Sequence, residues 1–273
     1  MAEEIMRISQ ATQGRDTDWR GQQASLAFAK VGVTALTLLR VVPGSPHFGP
    51  VGKYAVWDLS AIVSLCRCLI ESYYVLCYLR YEPTDADQKQ FRQWLWEYHE
   101  QFERHEMLRT VLPGAQSLPS VKRELDGRRV RLEGSPIFKA LSTGEQRELI
   151  EGKKFKRESA VELSRQAGIS EKYYRAQYKY CSTFTHSAPF AISQLDAFRA
   201  GSDEANEVLK VPVSLAVAHS ALAVRDFLTM FPDAAGGLNR SSQELIHFWE
   251  EIMKWENSSG FGPAADIVSK DPT

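Results

Sequence analysis

Strict alternation of apolar and polar residues is missing from these 273 residues, so no stretch reads as a half-buried strand. Cysteine is scarce. Cys66, Cys68, Cys77 and Cys181 are the only four and form no CxxC pair, which argues against a disulfide scaffold or a zinc ribbon and for reduced core thiols. Net charge is almost absent at −1, so no global field points to nucleic acid, a membrane surface or an acidic partner. The GxSxG elbow, GxGxxG and Walker loops, the EF-hand loop and HExxH are all missing, which removes serine-hydrolase chemistry and the standard nucleotide, calcium and zinc sites. The N-terminus has no basic start followed by an apolar run and does not read as a secretory signal. No repeat of fixed period is visible.

What is present is helical periodicity. Apolar residues are 44% of the chain and charged ones 25%, the balance of a globular protein with a sizeable core. Helices are expected over Ala24–Val42, Tyr54–Arg80, Asp85–Arg109, Glu158–Gly168, Ser170–His186, Ala191–Ala200, Pro212–Phe231 and Ser241–Trp255, most of them bounded by proline, glycine or a capping residue. In the first of these, apolar residues recur at helical spacing, at Leu26, Ala29/Lys30, Val33, Leu36 and Leu39/Arg40. Residues 120–157 hold 11 Lys and Arg against 6 Asp and Glu, +5 beside −6 for the rest of the chain, and five glycine or proline residues break them into short pieces. The expected architecture is therefore all-α: a bundle-like single domain over 21–257 with a basic, loop-rich insertion at about 120–157, between a flexible N-terminus (1–20) and a flexible tail (258–273). Two runs, Tyr54–Tyr81 and Val213–Phe231, are long enough to span a bilayer. They carry Asp58, Arg67 and Glu71, and His219, Arg225 and Asp226, so they read as buried helices of a cytoplasmic protein without a membrane partner.

Polar stripes on these helices are the candidates for function. Ser60, Ser64, Arg67, Glu71, Tyr74 and Tyr78 follow spacings of four and three on the second helix, and Arg67 and Glu71 at i,i+4 can pair. Arg175, Tyr178, Ser182 and His186 form a second stripe, with Ser182 and His186 close enough for a hydroxyl–imidazole hydrogen bond. His99, Glu103 and Glu106 share a face of the third helix but lack the second matching helix of a metal centre, so no metal and no cofactor is expected. Arg-x6-His, the loose signature of helical HEPN-type ribonucleases, occurs at Arg40…His47, Arg92…His99 and Arg240…His247; with 20 Arg and six His, chance alone supplies about one such spacing. Residues 160–182 have the layout of a helix-turn-helix about Gly168, although only Lys172, Arg175 and Lys179 would reach phosphates.

Taken together, the Arg67-x-x-x-Glu71 helix and the Tyr178-x-x-x-Ser182-x-x-x-His186-Ser187 helix resemble the bacterial domain-of-unknown-function family 5677, over roughly residues 50–230. The resemblance implies a helical cytosolic protein in which Arg67, Glu71, Ser182 and His186 meet, and it implies no established activity. Two readings follow. In one, Arg67, Tyr178 and Arg175 hold a phosphate-containing ligand, RNA in a stress or defence setting being the concrete case. His186, Ser182 and Glu71 then supply the chemistry. In the other, the stripes are structural and the chain is a non-catalytic interaction or homo-oligomerisation module anchored by Trp94, Trp96, Trp249 and Trp255.

Overall fold

A computed structural model of the chain describes residues 1–45, 47, 58–186, 188–197 and 202–259. Twelve α-helices and no strand occur among the described residues, as expected for an all-α chain. They are α1 (Ala2–Ala11), α2 (Trp19–Val41), α3 (Leu59–Arg80), α4 (Ala86–Val111), α5 (Leu118–Gly134), α6 (Pro136–Lys139), α7 (Thr143–Ile150), α8 (Ala160–Gln166), α9 (Glu171–Thr185), α10 (Pro189–Ala197), α11 (Asp203–Met230) and α12 (Arg240–Ser259), with a 3-10 turn at Pro232–Gly237. The chain forms two compact units: Met1–Arg80 with Ala160–Thr273, and Tyr81–Ser159. The boundaries read from sequence therefore move. The second unit starts at Tyr81 and takes in the third helix as well as the basic segment.

In the first unit α2, α3 and α11 pack on one another. In α2, Ala24, Ala27, Phe28, Val31, Ala35 and Leu38 are buried, whereas Leu26 and Val33, which mark the helical spacing in the sequence, are exposed. Gly32 lets α1 approach the buried face. A Cβ on Gly32 would lie 2.7 Å from Ile5 Cγ2, and Ile5 and Ile8 of α1 are fully buried against this side. Residues 1–20, expected to be flexible, thus contribute α1, whose two isoleucines seal the core, and Asp18, which caps α2 by accepting from Gly21 N–H at 2.7 Å. Phe28 stacks on Phe227 of α11 with ring centroids 4.0 Å apart. α11 starts at Asp203 behind a Ser202 cap, nine residues before Pro212, where the apolar run was expected to begin. Pro212 sits inside the helix and its carbonyl accepts from the Cys66 thiol at 3.2 Å. By length and composition α2, α3 and α11 could each cross a membrane. The expected tail at 258–273 lies almost wholly outside the described residues.

The second unit is built on α4. Phe91, Leu95 and Tyr98 of α4 pack on Leu125 and Leu132 of α5, Phe138 of α6 and Leu149 of α7, with Trp94 and Phe102 alongside. The helical spacing in the sequence puts Phe91, Trp94, Leu95, Tyr98 and Phe102 on one inner face, and all five pack here. The basic segment is more regular than expected: α5 runs unbroken through Gly127, and α7 opens with a full capping box between Ser142 and Glu145. Its charge is also absorbed locally, by Lys122–Asp126, Arg129–Glu133, Arg147–Glu151 and Lys154–Glu148 pairs and by Arg128 against Glu97. Tyr98 donates to the Ile150 carbonyl at 2.7 Å, fixing the end of α7. Two residues on, Gly152 adopts φ +66, and a Cβ there would meet the Phe102 ring at 2.2 Å.

The two glycines separate helix propensity from packing. Gly127→Ala, in an exposed helix interior with open space around it, should stabilise the protein by about 0.5–1 kcal/mol. Gly152→Ala combines left-handed backbone with overlap and should cost about 2–4 kcal/mol. Urea midpoints of the two variants measure both, and equal midpoints would contradict this packing.

Candidate functional site

α3 and α9 run antiparallel along a shared seam. Ser64 Oγ lies 3.5 Å from Thr185 Oγ1, the Arg67 guanidinium carbon lies 5.1 Å from the Tyr178 ring centre, and Gln177 Nε2 donates to the Tyr74 hydroxyl at 2.9 Å. The two polar stripes therefore meet. Gly168 (φ +80) ends α8, and Ser170 caps α9 by accepting from Tyr173 N–H at 3.2 Å, which is the turn read as a helix-turn-helix. The second helix of that motif, however, lays its Gln177, Cys181 and Phe184 into the core.

Arg67 is the centre of the strip. Its Nε donates to Glu71 Oε1 at 2.8 Å, and its guanidinium sits over the Tyr178 face. Among the described residues its two Nη groups have no hydrogen-bond partner, and the hydrogen bond to Glu71 holds the guanidinium still more firmly charged. The Arg67 side chain is 19% exposed and that of Glu71 57%, so this is an ion pair at the rim and not the buried one that would make its loss costly. Tyr178 is exposed and Tyr174, half-buried, leans on it with centroids 6.1 Å apart.

Ser182 and His186 stand toward the other end of the strip, beside Thr185. His186 is exposed and is the C-cap of α9. Its backbone N–H donates to the Ser182 carbonyl at 3.2 Å; among the described residues no side-chain hydrogen bond joins the pair. The hydroxyl–imidazole bond read from the i,i+4 spacing is therefore not made; His186 stands at the C-cap, at φ −93 and ψ 11. Arg175 is drawn off the strip by Glu171, which it meets at 2.7 Å and which also takes Arg165. Ser187 lies outside the described residues.

The Arg-x6-His spacings are engaged elsewhere. Arg92 bonds the Tyr81 carbonyl and faces Glu158 at 3.9 Å, while His99 packs on the Phe155 ring. His247 and Arg240 are exposed, the latter on Glu244, and His47 faces Glu3 at 3.8 Å. No group of three or more His, Cys, Asp or Glu able to hold a metal occurs among the described residues. Trp94, Trp96 and Trp249 are half-buried rather than presented as anchors, and the Trp255 side chain lies outside the described residues.

Sequence reading missed the most heavily bonded polar group of the chain. Asp226 of α11, fully buried, accepts from Arg80 Nη1 at 2.9 Å, Arg225 Nε at 2.7 Å and the Tyr73 hydroxyl at 3.0 Å. The same arginines donate to the carbonyls of Gln166 and Ala167 at 3.3 Å each, closing the C-terminus of α8. Burial works against the Arg225 charge, and the hydrogen bond and charge of Asp226, with Tyr73 and Glu250, together more than offset it, so its pKa is raised. Burial likewise pushes the Tyr73 hydroxyl and Cys77 thiol well up, keeping both protonated donors. Two turns earlier, His219 is sealed between the edges of Tyr73 and Tyr74, with Nδ1 2.7 Å from the Leu215 carbonyl and Nε2 without a hydrogen-bond partner. Burial holds its pKa down at about 4.

Residues 56–204 match the family described as a family of unknown function (DUF5677), which is more than half of the chain, and the chain belongs to that family. Comparison with curated proteins and with solved structures finds no match. The matched stretch contains Arg67, Glu71, Tyr178, Ser182 and His186 and ends before Asp226.

Two stability experiments follow from this geometry. Asp226→Ala leaves two guanidinium groups facing an empty carboxylate position and should cost about 3–5 kcal/mol, whereas Arg67→Ala should cost at most about 1 kcal/mol. Urea unfolding of the two variants checks the contrast. For His219 the folded pKa, about 4, lies below the ordinary 6.5. The neutral ring's contribution is complete above pH 6.5 and is lost as pH falls toward 4, since the unfolded chain then binds the extra proton. Wild type should lose about 2–3 kcal/mol more than His219→Gln between pH 7.5 and 4.5; parallel pH profiles would refute a sealed imidazole.

Proposed function

We propose that the α3/α9 strip binds a phosphate-containing ligand, RNA, and that Arg67 is its anion clamp. The observation that carries this reading is the state of Arg67. Its guanidinium is fixed from one side by Glu71 and from one face by Tyr178, and both Nη groups stay available at a seam that reaches solvent. A guanidinium with that preorganisation suits a phosphodiester, whose two free oxygens match a forked donor. His186, exposed at the end of the same strip, takes the proton of a ribose 2′-hydroxyl as that oxygen attacks phosphorus. It then returns the proton to the departing 5′-oxygen, so one bond to phosphorus forms, one breaks and the base is regenerated. Glu71 keeps Arg67 in place, and Ser182 stands one turn before His186 on α9. Free thiols at Cys66, Cys68, Cys77 and Cys181 support a cytoplasmic setting.

A second reading draws on a different observation. Leu26 and Val33 of α2 are 65% and 50% exposed on a helix that is apolar nearly all round, as an oligomerisation module would require.

Incubation of the purified protein with mixed cellular RNA decides between them. Cleavage by wild type, lost in His186→Ala and in Arg67→Ala and kept in His99→Ala, is the expected result, with the losses at least about 100-fold. Loss in His99→Ala alone would move the chemistry to α4. No cleavage by folded wild type would leave the oligomerisation module, checked by its mass in solution.

A further inference from the structure

Resting on the phosphate reading of the strip, we infer that the ligand is single-stranded and that an unpaired base stacks on Tyr178. Tyr178 is a large aromatic left 47% exposed on a helix whose neighbouring Gln177, Cys181 and Phe184 are all buried. Core packing does not account for its place, and its one close polar contact is the Arg67 guanidinium at 5.1 Å. Tyr174, one turn earlier, is itself held edge-on by buried Tyr74 with centroids 5.5 Å apart and inclines to Tyr178 at 30°. The result is a two-ring ledge buttressed from the core, with the Arg67 guanidinium over one face of Tyr178. Exposed Lys179 follows Tyr178 on α9, while Arg175 is held away by Glu171.

Aromatic faces interleaved with cations are how proteins take single-stranded nucleic acid: the rings meet bases in a sequence-tolerant way and the cations follow the backbone. A paired base offers its faces to its neighbours in the stack and would leave Tyr178 uncovered. Nucleotides bound only through phosphate would likewise leave the ledge without a role. The spacing is also suitable. A base on Tyr178 brings its own phosphate to the guanidinium that touches the same ring, so base and phosphate contacts belong to one nucleotide.

Fluorescence anisotropy with the full chain and a short 2′-O-methyl oligouridylate, which cannot be cleaved through a 2′-hydroxyl, tests the inference. Wild type and Tyr178→Phe are expected to bind alike. Tyr178→Leu should bind about 5- to 100-fold more weakly with an unchanged salt slope. The same strand in a duplex should compete poorly. Arg67→Ala should flatten the slope of log K against log salt by about 0.7, the share of one phosphate on a single strand. Wild-type affinity in Tyr178→Leu, or equal competition by the duplex, overturns the stacking subsite. If Arg67→Ala still flattens the slope in that case, the anion clamp survives. If neither variant changes binding, or wild type binds no oligouridylate, the inference falls; loss of pyrophosphate binding as well would then take the anion clamp with it.

Discussion

Asp226 is a carboxylate with no access to water in the last turns of α11, and everything bonded to it explains why it can stay there. Two guanidinium groups and a tyrosine hydroxyl occupy its oxygens, and the guanidiniums in turn reach the carbonyls of Gln166 and Ala167. Those carbonyls end α8, just before Gly168 and Ser170 turn the chain into α9. The carboxylate on α11 therefore fixes two arginines, the arginines fix the end of α8, and the end of α8 sets where α9 begins its run along α3. A strip formed at the α3/α9 seam inherits its geometry from a charge cluster outside it. Arg20 plays the same part at the end of α3, donating to the carbonyls of Leu79 and Arg80. Guanidinium groups closing helix C-termini, where the backbone presents bare carbonyls, are the recurring device of this unit.

What could be read in advance follows the range of the interactions concerned. Helix existence, the caps at Ser170 and Asp85, and the inner face of α4 rest on spacings of three and four within one segment, and these were legible, whereas the last helix is capped by Asn239 and not by Ser241 or Ser242. The polar stripe of α3 was also visible as a stripe, but its fate was not: Ser64, Arg67 and Glu71 reach solvent or α9, while Tyr74 and Tyr78 turn into core. Only the place where α9 lies along the helix decides that. Asp226 is a harder case. Its partners Tyr73 and Arg80 stand 153 and 146 residues away, and no local pattern announces them. In sequence the charges of α11 argue only against a lipid setting, whereas in the fold they form its most connected group. In α2 the helical spacing of apolar residues marked the helix but not its buried face, which Phe28, Val31 and Leu38 share with alanines and Gly32 while Leu26 and Val33 stay exposed.

Charge in the Tyr81–Ser159 unit teaches the same point about scale. Residues 120–157 carry an excess of positive charge when cut out of the chain, yet the whole unit holds 15 Lys and Arg against 14 Asp and Glu. The balancing acidic residues lie on α4, ahead of the segment, and in pairs one turn apart within it. A window drawn across a helix hairpin can separate cations from the anions that neutralise them, so a local excess of charge is evidence for a partner only after the fold has shown what remains unpaired.

That distinction also ranks the arginines of the first unit. Arg80 and Arg225 hold a buried carboxylate and backbone carbonyls, and moving either to meet a ligand would strip Asp226 of a counter-charge at several kcal/mol, roughly the cost of breaking a buried pair. Arg67 has spent only its Nε on a rim carboxylate, worth on the order of 0.5 kcal/mol. Its remaining donors can change partner cheaply, and Tyr178 keeps the planar group oriented while they do. Of these three arginines Arg67 contributes least to stability, and its unengaged donors are what the proposed anion clamp would use, which the better-bonded Asp226 cluster cannot offer.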